Sequence, residues 1–331
     1  MKKLRKNIIL LVLICIVILY FILKDDFNGI LDLIINSNKL YILIAILFVI
    51  FSDVFKGKSI SLLIKRSKFK YKFKDGFLLT LMTNFFNGIT PFSLGGQPFE
   101  LYILKKDNNV DYVSGTNVLF KDFYTYQIAF MFLSTLAIIL TYSLKIIIMS
   151  KIVEHILWLG FVINLFIMLF LIYIPFVKKD RFKILEWFIK VLSKINIIKD
   201  KEKTIEKINA AIKRFKIQTK GVIADFKTIL ICSILNIFKI LTITLSTYFC
   251  FKSIGSTVPL FETIVITILV LVMASFVPIP GASGGMEFSF AALFSYFVID
   301  TKLGAALLMW RFITYYLPMI YGSIIFLIKR K

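Results

Sequence analysis

Six polar side chains lie where this sequence is otherwise strongly apolar: Gln97, Glu100, Asn236, Lys239, Glu287 and Arg311. Such groups are costly at membrane depth and mark ligand or ion pathways. Glu287 and Arg311 carry opposite charges within two neighbouring apolar stretches, so they can pair or jointly line a polar cavity. Holding two helices together is the plainer use of the same pair. Lys239 stands near the middle of the run Thr228 to Phe251, three residues after Asn236, and is the deepest cation. Helix packing or snorkelling accounts for it as well as ligand contact does. Lys121 and Asp122 fall at one end of a span. Asp53 and Glu262 read as interfacial, and the single histidine, His155, as a surface residue.

Two glycine doublets flank these groups. Pro91-Phe92-Ser93-Leu94-Gly95-Gly96 precedes Gln97 and Glu100, and Pro278-Ile279-Pro280-Gly281-Ala282-Ser283-Gly284-Gly285 precedes Glu287. Proline removes a backbone donor and glycine admits dihedrals closed to other residues, so each segment predicts a broken helix. Paired Gly/Pro interruptions in the two halves of a membrane protein point to a transport site. Pro91, Gly95, Gly96, Pro278, Pro280, Gly281, Gly284 and Gly285 are the expected hinge residues.

The elements that must hold these groups follow from composition. A hydrophobic fraction of 59% and a mean hydropathy of +0.86 lie outside the globular range. The fold expected is all-α and polytopic, one transmembrane domain over 1–331. Six spans fit, near 8–23, 40–55, 123–143, 156–175, 228–251 and 303–328. Two further apolar stretches, near 77–104 and 260–298, carry the glycine motifs and read as re-entrant hairpins, with ordinary Gly/Pro kinks in two full spans as the plainer alternative. In this arrangement 33 of the 41 Lys and Arg residues fall in the segments on the side of the N-terminus, and 6 on the other. The positive-inside rule then makes both termini cytoplasmic. The hairpins enter from opposite sides, as inverted repeats do, and the helix N-termini after the glycines are expected to face a lipid phosphate.

The net charge of +22 does not imply nucleic acid, because the positives lie between apolar runs and no nucleic-acid motif accompanies them. The basic connection 178–227 has amphipathic stripes suited to an anionic membrane surface, or equally to packing on the membrane domain with a solvated basic face. Cys15, Cys232 and Cys250 form no close pair and no Cys/His cluster, so neither a metal site nor a disulfide is expected. No nucleotide-binding loop, triad or soluble catalytic domain is visible, and no cofactor is implied.

The segment Pro278 to Glu287 resembles the P-x-P-G-x-x-G-x-x-E motif of the lysylphosphatidylglycerol synthase transmembrane-region family, the flippase-like domain of aminoacyl-phosphatidylglycerol synthases. Thr90-Pro91 through Gly96 is similar to its T-P-x-x-x-G-G segment. Arg311 with Tyr315, Pro318 and Gly322 resembles its last helix. Where the family carries an acidic residue and then an arginine, this chain has Gln97 and Glu100. The resemblance implies a stand-alone phospholipid transporter in a bacterial cell membrane, without the aminoacyltransferase domain. Partnership with a lipid-synthesis enzyme is compatible with it. A small-solute or ion transporter and a membrane component of lipid synthesis are the alternatives.

Overall fold

A computed structural model describes residues 26–91, 95–173, 225–298 and 300–330, with isolated positions 210 and 217. The described residues are helical, without strands. In chain order they form α1 (Phe27–Ile35), α2 (Lys39–Arg66), α3 (Phe73–Gly88), α4 (Gly96–Asn108), α5 (Tyr112–Leu144), α6 (Lys151–Tyr173), α7 (Phe226–Ser253), α8 (Leu260–Ala274), α9 (Gly285–Phe294), α10 (Asp300–Arg311) and α11 (Leu317–Arg330). A five-residue π-helical segment, Phe312–Tyr316, joins the last two into one rod.

Five elements are long and apolar enough to cross a bilayer: α2, α5, α6, α7 and the rod 301–329. They coincide with five of the six expected spans; the first, 8–23, lies outside the described residues, as does most of 178–227. Large apolar side chains face outward, including Ile152 at 71% and Phe166 at 68% exposure, as on a lipid-facing surface. The chain is a multi-pass membrane protein.

Several helices outrun their apolar runs. α2 continues to Arg66 and α5 begins at Tyr112, so parts of the expected connections 56–76 and 105–122 are helical. The short α1, in the expected connection 24–39, packs on α10.

α2 and α7 form the most extensive helix pair and run antiparallel. The Asn38 N–H donates to the Ser253 carbonyl (2.7 Å) at one end. Phe48 stacks on Phe249 (5.4 Å) and Phe55 on Phe238 (5.5 Å) along the pair. The Cys232 thiol faces the Ser59 carbonyl near the other end. Beyond α7, an aromatic group of Phe251, Phe290, Phe294 and Trp310 locks α9 and α10 in place, with Phe290 4.8 Å from Trp310. Between helices in lipid such packing, rather than water exclusion, holds the bundle.

α7 starts at Asp225, whose side chain accepts from the Thr228 N–H (3.2 Å) and hydroxyl (2.6 Å). The Thr228 hydroxyl holds the Asp225 carboxyl below the usual range. Asp225→Ala should cost about 1 kcal/mol in a detergent melting experiment. Because the folded-state pKa is depressed, this contribution is present above the unfolded carboxylate pKa. It is lost as pH falls through the folded value, so wild type and variant should converge in acid.

Candidate functional site

Both glycine motifs break the helix. α3 stops at Gly88 and α4 resumes at Gly96; α8 stops at Ala274 and α9 resumes at Gly285. In each case the two limbs pack against one another. In the first break the Thr90 hydroxyl accepts from the Gly95 N–H (2.8 Å) and the Asn87 side-chain amide oxygen from the Gly96 N–H (3.0 Å). In the second, Gly281 (φ +63°) and Gly284 (φ +85°) take left-handed dihedrals. The Glu287 carboxylate turns back to accept from the Gly284 N–H (2.6 Å).

The N–H groups of Gly95, Gly96 and Gly284, within the glycine pairs themselves, are thus held by side chains, at the start of α9 by a carboxylate.

Glu287 and Arg311 do meet. Arg311 Nε lies 2.7 Å from Glu287 Oε1, with its N–H aimed off the line, so the contact is an ion pair rather than a hydrogen bond. Arg311 Nη2 donates to the Ser283 hydroxyl (3.2 Å) inside the second break. The guanidinium covers the Tyr315 ring at 4.4 Å. That ring packs on Gly281, and its hydroxyl donates to the Gly88 carbonyl (2.7 Å) at the end of α3. Tyr315 therefore touches both breaks at once. The π-helical turn immediately after Arg311 positions it, and such turns are frequent at functional sites.

A second polar group lies farther along the same α3–α11 packing. Asn84 donates to both oxygens of Asp53 (3.0 and 3.1 Å), and the Tyr321 hydroxyl also donates to Asp53. Lys56 pairs with Asp122. Glu100, 3% exposed, lies beside the Thr83 hydroxyl in the field of Lys56, Asp122 and Lys239. Lys239, half-buried as a residue, sets its ammonium 4.7 Å from the centre of the Tyr126 ring and closes no ion pair among the described residues. Asn236 donates to the Thr125 hydroxyl (3.2 Å) and the Cys232 carbonyl (3.0 Å).

The expected site residues thus fall into two groups. Glu287 and Arg311 join across the second break, whereas Glu100, Lys239 and Asn236 gather among α2, α4, α5 and α7. Gln97 is half-buried in the first turn of α4, apart from both. Pro91 is exposed at the first break. Asp53 is corrected from interfacial to buried, because α2 runs on past it and carries it into contact with α3 and α11. Lys56, which composition assigns to a basic connection, is an internal ion-pair partner. His155 is exposed, and Cys232 and Cys250 are buried free thiols.

Known proteins are similar to this sequence. A UPF0104 membrane protein of Archaeoglobus fulgidus is 24% identical over 300 residues, covering 87% of this chain and 86% of its own. A UPF0104 membrane protein of Methanocaldococcus jannaschii is 33% identical over 105 residues, 31% of each chain. The family model described as the lysylphosphatidylglycerol synthase TM region matches residues 8–322. That match takes in both helix breaks, the Glu287–Arg311 pair and the polar group around Lys239, and the chain belongs to this family.

Proposed function

We propose that this chain moves a phospholipid with an aminoacyl headgroup between the two leaflets of a bacterial cell membrane. The observation that carries the reading is a polar interior offering partners to both charged groups of such a headgroup. The Lys239 ammonium, free of any ion pair among the described residues, suits the phosphate. Around it stand the carboxyls of Asp53, Glu100 and Asp122, oxygen acceptors that suit an amine. A headgroup crossing a bilayer unaided must shed its water, and fixed charges replace part of that hydration.

The limbs of the two broken helices have 16, 13, 15 and 10 residues. At about 1.5 Å per residue each falls short of the roughly 30 Å hydrocarbon core, which supports the re-entrant reading. Irregular backbone at such depth is tolerated where protein or a polar cavity covers it.

Reconstitution into liposomes tests the proposal. Leaflet exchange of a fluorescent lysyl-phosphatidylglycerol should accelerate over protein-free vesicles and over a phosphatidylcholine analogue. Lys239→Met should slow it roughly ten- to hundredfold, the rate equivalent of one charge-assisted hydrogen bond. Folded protein that exchanges no headgroup but takes up small solutes would replace this reading with solute transport.

A further inference from the structure

α3 packs against both α4 and α11, and a cavity of about 300 Å³ lies where the three meet. Each helix lends it a stripe at helical spacing: Met82 and Phe86 from α3, Phe99, Ile103 and Lys106 from α4, Phe326 and Lys329 from α11. The stripes of α4 and α11 both run from apolar to cationic towards the helix ends. At the closed end Phe86 stacks on Phe99 (3.9 Å), and Phe326 meets both rings edge-on (5.2 and 5.6 Å). At the mouth Lys329 pairs with Asp107 (3.4 Å), joining the last turns of α11 and α4. Lys106 is exposed there, closes no ion pair among the described residues, and lies 5.9 Å from the centre of the Tyr102 ring.

α11 ends the membrane-crossing rod, so this mouth stands at the level of lipid headgroups, with the aromatic end one to two turns deeper. Water fills a largely apolar cavity poorly, whereas a neighbouring acyl chain supplies the contacts its lining lacks. The volume is at the low end for ligand sites, enough for part of one chain and not for a whole lipid. Charge then selects the headgroup. Lys106 and Lys329 against the single carboxylate of Asp107 suit a phosphate, and an added amine would meet Lys106 as like charge. We propose that this groove holds one acyl chain of an anionic phospholipid without an aminoacyl group, its phosphate against Lys106. This lipid braces α4, the limb after the first break, against α11. It is a different molecule from the proposed cargo. Thr83 and Glu100, next in sequence to Met82 and Phe99, belong instead to the polar group around Lys56. The groove therefore does not rest on the transport reading.

The full chain is reconstituted in phosphatidylcholine vesicles with an increasing fraction of phosphatidylglycerol that carries a diazirine in one acyl chain. After irradiation the adducts are mapped by mass spectrometry, with a diazirine phosphatidylcholine as control. Adducts on Phe99, Ile103 and Phe326 should saturate with the phosphatidylglycerol probe and exceed severalfold those on the outward-facing Phe166. The phosphatidylcholine probe should give no such excess. Lys106→Gln, which breaks no ion pair among the described residues, should raise the fraction needed for half-saturation about fivefold, the effect of one interfacial lysine on an anionic lipid. Ile103→Trp, which fills the cavity, should remove the excess. A detergent melt establishes whether that variant is folded, and where it is not, Lys106→Gln decides. Labelling no stronger than at Phe166, equal labelling by the two probes, or a preference that Lys106→Gln leaves unchanged overturns the site. An excess that survives Ile103→Trp in folded protein, or competition by lysyl-phosphatidylglycerol as strong as by phosphatidylglycerol, overturns it too. Failure of lipid exchange in liposomes leaves this measurement untouched, so the two ideas fail separately.

Discussion

Arg311→Ala should cost about 3–5 kcal/mol of stability and abolish the proposed lipid exchange, because it strands the Glu287 carboxylate in the protein interior. Both side chains of the pair are at least nine-tenths buried, so water cannot take over the missing contact. The loss also removes the donor to Ser283 and the cation over Tyr315. Glu287→Gln leaves the opposite problem, an uncompensated guanidinium, and should be comparably harmful. The double variant Glu287→Gln with Arg311→Met should recover part of the loss, since no unpaired charge remains. A double-mutant cycle read by thermal melting in detergent would then show strong positive coupling. Arg311→Lys should rescue poorly, because an ammonium cannot stack its plane on Tyr315 or reach two partners in fixed directions. Melting of Arg311→Ala within about 0.5 kcal/mol of wild type would show that the pair holds nothing together.

How much of this was legible in sequence depends on how local each cause is. The long helices were readable because twenty or so apolar residues have few other uses, and the described spans fall where those runs lie. The Glu287–Arg311 meeting was readable as a possibility, two opposite charges in neighbouring apolar stretches, although only the fold brings them within 2.7 Å. Lys56 was hidden by its surroundings. It begins a stretch rich in Lys and Arg, and the hydropathy signal ends before the helix does. Asp53 depends on Asn84 and Tyr321, 31 and 268 residues away, so no local pattern could reveal its burial. The breaks were only half legible. A glycine pair announces a break but not whether a nearby Thr, Asn or Glu will turn back onto the glycine N–H groups, and here all three do.

Gly281→Ala should be the most damaging single-methyl addition to either break, costing about 3 kcal/mol. Gly281 and Gly284 both hold positive φ, and an alanine in the left-handed region loses about 1–2 kcal/mol on backbone grounds. Their surroundings then separate them. A Cβ on Gly284 would meet nothing within 4 Å, whereas one on Gly281 would fall 2.3 Å from the Tyr315 ring. That ring cannot yield freely, since its hydroxyl is tied to the Gly88 carbonyl and its face carries Arg311. Moving it surrenders a hydrogen bond worth about 1 kcal/mol and disturbs the cation above it. Gly284→Ala should therefore show backbone strain alone, and Gly281→Ala strain plus the displaced tyrosine. In a Tyr315→Leu background the Gly281→Ala penalty should shrink towards the strain while that of Gly284→Ala stays, and thermal melting reads this directly. A Gly281→Ala penalty unchanged by Tyr315→Leu would mean that Tyr315 does not clamp the breaks together. An excess confined to Gly281 and dependent on Tyr315 would make this side chain the mechanical link between the two halves, one that neither motif announces in its own sequence.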